Sequence, residues 1–260
     1  MNNKGTRQPN DSMLIFPGFA APDFFHGVFN RLGGVSLAPW DSRNVSFRLG
    51  DKPEHVRTNR LGIKKRLGFD QLVSAKQIHD SRVYIVKEKP ESDVEVDGFD
   101  ALITDVAGVG LMIQQADCQA VMLFDPQNRA VGIAHAGWRG SVADIIFKTV
   151  SAMHHAYNTG AADITAAISP SLGPCCAEFI NYRRELPKSF HAYQARPNYF
   201  DFWAISHDQL CAVGVKSENI HSANICTSCD TDYFSYRREK KTGRCASVIG
   251  LREERSGVMV

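Results

Sequence analysis

The 260-residue sequence has no run of about 18 apolar residues, the length a membrane-spanning helix requires. Its opening stretch, MNNKGTRQPNDS, lacks the apolar core of a secretory signal. It has no excess of either charge, since 30 Lys+Arg against 28 Asp+Glu leave a formal +2. That argues against a broad nucleic-acid surface, which needs a basic face. Internal repeats, long linkers and low-complexity tracts are missing, and none of the nine histidines forms an H-x-H pair. These absences point to a cytoplasmic protein with neither a membrane nor a nucleic-acid partner; they leave the oligomeric state open. Seven cysteines, an odd number expected in a reducing compartment, read poorly as a disulfide framework. Some of them are candidates for chemistry.

The composition is that of an ordinary globular chain, 43 % hydrophobic and 22 % charged. Residues 1–12 read as a flexible lead-in with nothing to bury, and 13–260 as one domain. Strand signals cover 24–30, 72–78 and 82–88, the last two separated by His79-Asp80-Ser81 as in a hairpin. Further strands run over 109–114, 119–125, 130–135 and 164–168. Val142, Ile145, Ile146, Thr149, Val150 and Met153 share one helical face. The spacing predicts a helix from Gly140-Ser141, with Ser141 as N-cap, to Asn158-Gly160. A second helix is expected over 206–213. Strands and helices without regular βαβ alternation indicate an α/β or α+β layered fold rather than a dinucleotide-binding one.

The stretch from Ala116-Asp117-Cys118 to His135-Ala136-Gly137-Trp138-Arg139-Gly140 carries the most chemistry. If 119–125 and 130–135 pair across the turn Pro126–Arg129 with Asp125 opposite Ala130, then Ala120 opposes His135. Cys118 lies two residues from Ala120 and so shares its face, a diagonal neighbour of His135. A slip of one residue would separate them. His79 stands at another strand end. Two His and one Cys can hold Zn²⁺ tetrahedrally with the fourth position open, the catalytic arrangement. A buried thiol with two hydrogen-bonded histidines fits the same spacing.

HGVFNRLGGVS (26–36), GD (50–51), NR (59–60), KQIHD (76–80), ADC (116–118), HAGWRG (135–140), SPSLGPCC (169–176) and CTSCDTDYFSYRR (226–238) occur in this order. Together they resemble the YfiH or laccase-domain family, whose members are variously called polyphenol oxidases and purine nucleoside phosphorylases. The resemblance spans Phe24 to Leu251. It implies a layered mixed-sheet α/β sandwich similar to the catalytic domain of cytotoxic necrotizing factor toxins, with zinc bound by His79, Cys118 and His135. It also implies phosphorolysis of purine nucleosides or methylthioadenosine and adenosine deamination; copper oxidation and peptidoglycan-precursor editing are further activities linked to the family. The sequence departs from the usual pattern at Asp80 (commonly Gly), at Gln119-Ala120-Val121 (often Val-Pro-Val) and at Arg43-Asn44-Val45-Ser46 (usually Leu-Asn-Leu-Gly). These changes spare the ligands and bear on the pocket walls.

Beside the metal set, Arg31 in its glycine turn is a candidate phosphate ligand, or a solvated turn residue. Arg139, at a helix start beside His135, could hold an anion or pair with a carboxylate. Asp117 is a candidate catalytic carboxylate that orients a ligand histidine, or a turn cap. Asn44 is a candidate for binding ribose or base. Cys226 and Cys229 look like half of a zinc knuckle, but adjacent Cys175 and Cys176 fit the other half poorly. With Cys211 and Cys245 these are expected as packed or surface thiols, and Tyr233–Arg238 as a strand with a solvated end. The leading expectation is a zinc-dependent phosphorylase. A metal-free Cys118–His135 amidase is the alternative, and a Cu²⁺ phenol oxidase is a weaker one because H-x-H pairs are missing. The cytidine-deaminase signature is also absent.

Overall fold

The computed structural model describes residues 12–253; the expected flexible lead-in therefore lies outside the described residues, apart from Ser12. Fourteen strands form: β1 Met13–Leu14, β2 Phe24–Phe29, β3 Gln71–Lys76, β4 Val83–Val86, β5 Val94–Asp97, β6 Ala101–Thr104, β7 Val109–Gln115, β8 Gln119–Asp125, β9 Ala130–Ala136, β10 Thr165–Ile168, β11 Gln194–Arg196, β12 Tyr199–Phe200, β13 Ile220–Ser222 and β14 Cys245–Leu251. The helices are α1 Pro53–Leu67, α2 Trp138–Val142, α3 Ile145–Tyr157, α4 Tyr182–Glu185, α5 Phe202–Ala212 and α6 Tyr236–Glu239.

Two six-stranded mixed sheets, ordered β1-β2-β14-β7-β3-β5 and β13-β10-β8-β9-β6-β4, pack face to face. Their central strands are buried along their whole length, so they read as continuous apolar runs rather than alternating ones. Alternate residues still sort by face. Ala120, Met122 and Phe124 of β8 meet Leu111 and Ile113 of β7 between the sheets, while Val121 and Leu123 turn outward to Ile146, Val150 and Met153 of α3. On the opposite outer face, Ile63 and Leu67 of α1 cover Leu72, Met112 and Val248. The result is the expected mixed α/β architecture, with helices outside two sheets.

Several expectations need correction. The segments 72–78 and 82–88 do not form a hairpin: β3 pairs with β5 and β7 in one sheet, and β4 with β6 in the other. The chain crosses between sheets at His79. The long helix is split. Ala143 closes α2, and α3 restarts after Asp144 in a left-handed conformation. Ser141 is therefore inside α2 rather than a cap, and Val142 remains 37 % exposed. The second helix begins four residues early, because the Asp201 side chain caps the backbone N–H of Trp203 and Ala204. Tyr233–Arg238 is not a strand; Tyr233 and Phe234 plug the inter-sheet core before α6 starts.

Candidate metal centre

The expected register holds, with Asp125 opposite Ala130 and Ala120 opposite His135. Cys118, just before β8, and His135, near the end of β9, therefore share the face that looks toward the other sheet. The crossover from β3 to β4 delivers His79 to the same point. One ligand atom from each of the three lies within 4.8 Å of the others.

A buried carboxylate organises this group. Asp100, just before β6, accepts the backbone N–H groups of His79 (2.9 Å), Ile78 (3.0 Å) and Asp80 (3.0 Å). It also accepts His135 Nδ1–H at 2.8 Å, which leaves Nε2 as the ring's ligand atom. Burial alone would raise Asp100, but the hydrogen bonds from His135 and from the Asp80 and Ile78 backbone hold it below the usual carboxylate range. Both His79 (φ 62) and Asp117 (φ 85) occupy the left-handed region, a strained conformation for a residue with a Cβ. One strained residue is a candidate ligand and the other precedes one.

Burial would also raise the Cys118 thiol. The charge and hydrogen bond of His135, joined by those of His79, win and bring it to about 6. His135 answers in the opposite sense: burial lowers it, while the Cys118 charge and the Asp100 hydrogen bond lift it to about 9. Thiolate and imidazolium thus favour each other's charged form, and a cation can take the place of the proton between them. The residues fit such an ion. A Cβ added to Gly137 would stand 2.9 Å from Cys118 Sγ and 3.2 Å from His79 Cδ2, so the bare glycine keeps the ligand cradle open. A soft thiolate with two imidazoles is a zinc-type donor set.

The triad opens into a cleft of about 930 Å³. One wall offers Arg48, Arg244, Gln77 and Gln114; the other carries Phe179, Tyr236 and Arg237. Both Arg244 and Arg48 were missed in the sequence, as was Asp100.

The other sequence candidates lie elsewhere or are engaged. Arg31 pairs with Glu239 (2.6 Å) and Asp41 (3.4 Å) and packs over Phe234, outside the cleft lining. Arg139 is exposed over the Trp138 ring, also outside it. Asn44 is fully buried, holding Asp51 and the Ser46 carbonyl while accepting the Arg244 backbone N–H. It thereby positions Arg244 rather than facing the cleft itself. Asp117 does line the cleft, but its two oxygens accept from Thr227 Oγ1 (2.7 Å) and Arg237 N (2.6 Å). Of the departures, Asp80 is exposed, whereas Gln119 lines the cleft and ties β8 to α5 through the Phe202 carbonyl.

Comparison with known proteins agrees with this architecture. The family model described as multi-copper polyphenol oxidoreductase laccase matches residues 25–252. The chain belongs to this laccase-like YfiH family. Among its relatives, purine nucleoside phosphorylase ORF3 of Streptomyces griseus is 34 % identical over 85 % of this chain and 92 % of its own length. Purine nucleoside phosphorylase YfiH of Escherichia coli K12 is 32 % identical over 92 % of this chain and 99 % of its own. The crystal structure of YlmD from Geobacillus stearothermophilus superposes with a TM-score of 0.84 at 29 % identity, covering 95 % of this chain and 98 % of that one. These names support an enzyme of the phosphorylase kind, and no helix among the described residues is long and apolar enough to cross a membrane.

Proposed function

We propose that this YfiH-family member is a cytoplasmic, zinc-dependent purine nucleoside phosphorylase that takes adenosine, inosine, guanosine or methylthioadenosine, with adenosine deamination as a further reaction at the same site. The observation that carries the reading is the convergence of His79, Cys118 and His135 at the floor of a cleft walled by arginines and aromatic rings. The phosphorylase names of relatives covering most of the chain favour the same chemistry.

His79 Nε2 or Nδ1, Cys118 Sγ and His135 Nε2 would hold the ion, which when bound supplies a Lewis acid to polarise a substrate oxygen. The remaining work falls to the chain. Arg48 and Arg244 offer paired guanidinium groups for inorganic phosphate, whose oxygen forms the new bond to the anomeric carbon. The carbon–nitrogen bond to the purine breaks, its electron pair leaves with the base, which gains a proton as the phosphate loses one, and ribose 1-phosphate and free base result. Phe179 and Tyr236 are aromatic rings of the lining, of the kind that suits a purine partner. Asp100 keeps the His135 tautomer fixed throughout.

A second reading has its own observation. Asp100, His135 and Cys118 form a carboxylate–imidazole–thiol chain like that of a metal-free cysteine hydrolase. His79 separates the two, because a dyad does not need it. The multicopper reading fits less well: of nine histidines only His79 and His135 line the cleft. The test is incubation of purified protein with inosine and phosphate. Hypoxanthine and ribose 1-phosphate are expected from the wild type and not from Cys118→Ala or His79→Ala; amidase activity that survives His79→Ala without bound metal would establish the hydrolase instead.

A further inference from the structure

We propose that Cys175, Cys176, Cys226 and Cys229 form a second metal site, a tetrathiolate centre for Zn²⁺ that ties the loop after β10, part of the cleft wall, to the turn after β13 that leads toward α6. The four sulfurs come from the turn after β10 and the turn after β13, and all lie within 4.8 Å of one another. Cys229 Sγ is 3.6 Å from Cys175 Sγ and 3.5 Å from Cys176 Sγ. A regular tetrahedron with zinc–sulfur bonds of about 2.3 Å has edges of about 3.8 Å. The thiols are thus spaced as neighbours around one ion.

The backbone is arranged for thiolates. Cys226-Thr227-Ser228-Cys229 is a tight turn in which the N–H groups of Cys229 (3.2 Å) and Asp230 (2.9 Å) donate to the Cys226 carbonyl. The Gly173 N–H points at Cys226 Sγ at 3.3 Å. Gly173 must be bare here, since a Cβ would meet Cys226 Cβ at 3.0 Å and the Trp203 ring at 2.7 Å. Adjacent cysteines, an awkward pair in sequence, work because the turn over 173–177 directs both toward Cys229.

Charge supports the same assignment. Four thiolates around Zn²⁺ carry a net −2, and three guanidinium groups grip the carbonyls beside them. Arg196 donates to Cys175 O (2.9 Å) and Arg237 to Cys176 O (3.0 Å). Arg238, which also meets Glu239, donates to Thr227 O (2.7 Å) and Ser228 O (3.1 Å). Such outer groups offset the charge of a thiolate site.

The position gives the site a purpose. Ser171 and Cys226 bridge the two loops as a short parallel pair, and Arg237 of α6 reaches the Glu178 carbonyl of the first. Glu178, Phe179 and Arg237 all line the cleft, and Thr227 fastens Asp117 beside Cys118. An ion here would hold the wall that faces the substrate without touching it. Cys175 and Cys229 are exposed, so the ion would be open to chelators.

The test counts zinc in protein purified under reducing conditions from zinc-supplemented cells, by native mass spectrometry and elemental analysis. A His79→Ala/Cys118→Ala variant, left with His135 as its single cleft ligand, should retain one Zn²⁺ per chain. Adding Cys176→Ser and Cys229→Ser should take that to zero. Cobalt exchanged into the first variant should show the intense visible and thiolate charge-transfer bands of a tetrahedral sulfur site. Wild type should bind two zinc ions if the cleft also binds one, which covers the case in which the serine variants do not fold. The proposal is overturned if the cleft variant carries no zinc with its thiols reduced, or if its intact mass is lighter by two hydrogens per disulfide. Because the count is made with two of the three cleft ligands removed and without an activity readout, it stands apart from the fate of the phosphorylase reading.

Discussion

Gly137→Ala makes a single-atom test of the metal cradle. The new Cβ would lie 2.9 Å from Cys118 Sγ and 3.2 Å from His79 Cδ2. Unstrained contacts between such heavy atoms need about 3.5–4.0 Å, so the sulfur must retreat by roughly 0.6–1 Å. Metal–ligand distances tolerate only about 0.2 Å, and the displacement exceeds that several-fold. The backbone is not at fault, because φ −77 and ψ 167 at Gly137 are open to alanine. Lost backbone freedom in the unfolded chain would stabilise the variant by about 0.4–1 kcal/mol, against roughly 1–3 kcal/mol for overpacking. The metal-stripped variant should therefore unfold within about 2 kcal/mol of wild type, while zinc affinity falls at least about 10–100-fold, the scale seen when a ligand's support is lost. Competition against a chromogenic chelator measures the affinity, and urea unfolding of stripped protein measures the stability. Equal zinc affinity in wild type and Gly137→Ala would refute the cradle argument.

Asp100→Asn replaces an acceptor of four hydrogen bonds by an amide with one oxygen, leaving buried donors unpaired at about 1–3 kcal/mol each. Zinc affinity should fall by about 10–100-fold and the unfolding midpoint should drop; unchanged values for both would remove Asp100 from the account. Arg48→Met and Arg244→Met should each raise the phosphate KM about 10–100-fold, the worth of a hydrogen bond to a charged group, with a smaller effect on the nucleoside KM. Steady-state kinetics checks this, and Arg31→Met and Arg139→Met should leave the phosphate KM in place. Stability should also depend on His26, which accepts the Phe16 N–H at 2.9 Å and is pushed to about 4 by burial and by His221. Between pH 6.5 and 4 the unfolded chain binds a proton that the folded one refuses, so the contribution is complete above pH 6.5 and lost as pH falls toward 4. That is about 3 kcal/mol at about 1.4 per unit. Urea unfolding at pH 7.5 and 4.5 should show the loss in wild type but not in His26→Gln, whose carbonyl accepts the same bond.

The hairpin of β8 and β9 was legible because a four-residue turn joins two apolar runs, which leaves one register that buries both. That register alone placed Cys118 by His135. His79 was found as a residue type at a strand end, yet its hairpin was wrong, since periodicity shows which segments are strands and not which sheet they join. Asp100 gives no local signal: its partners are three backbone N–H groups and a histidine on another strand. Arg48 and Arg244 approach the cleft from opposite ends of the chain, Arg244 fixed by Asn44, and such long-range convergence leaves no spacing to read. Arg31 and Arg139 were attractive for their neighbours in sequence, but Glu239, Asp41 and the Trp138 ring engage them instead. The four clustered cysteines gave no joint signal either, because separate turns bring their sulfurs together.

The most direct test of the central claim is to titrate metal-stripped protein with Zn²⁺ while following ribose 1-phosphate formed from inosine and phosphate. The account predicts no product from stripped protein, a rise in step with occupancy of the His79–Cys118–His135 site, and no rise in Cys118→Ala. Full turnover in the stripped protein, or none when that site is filled, would contradict it.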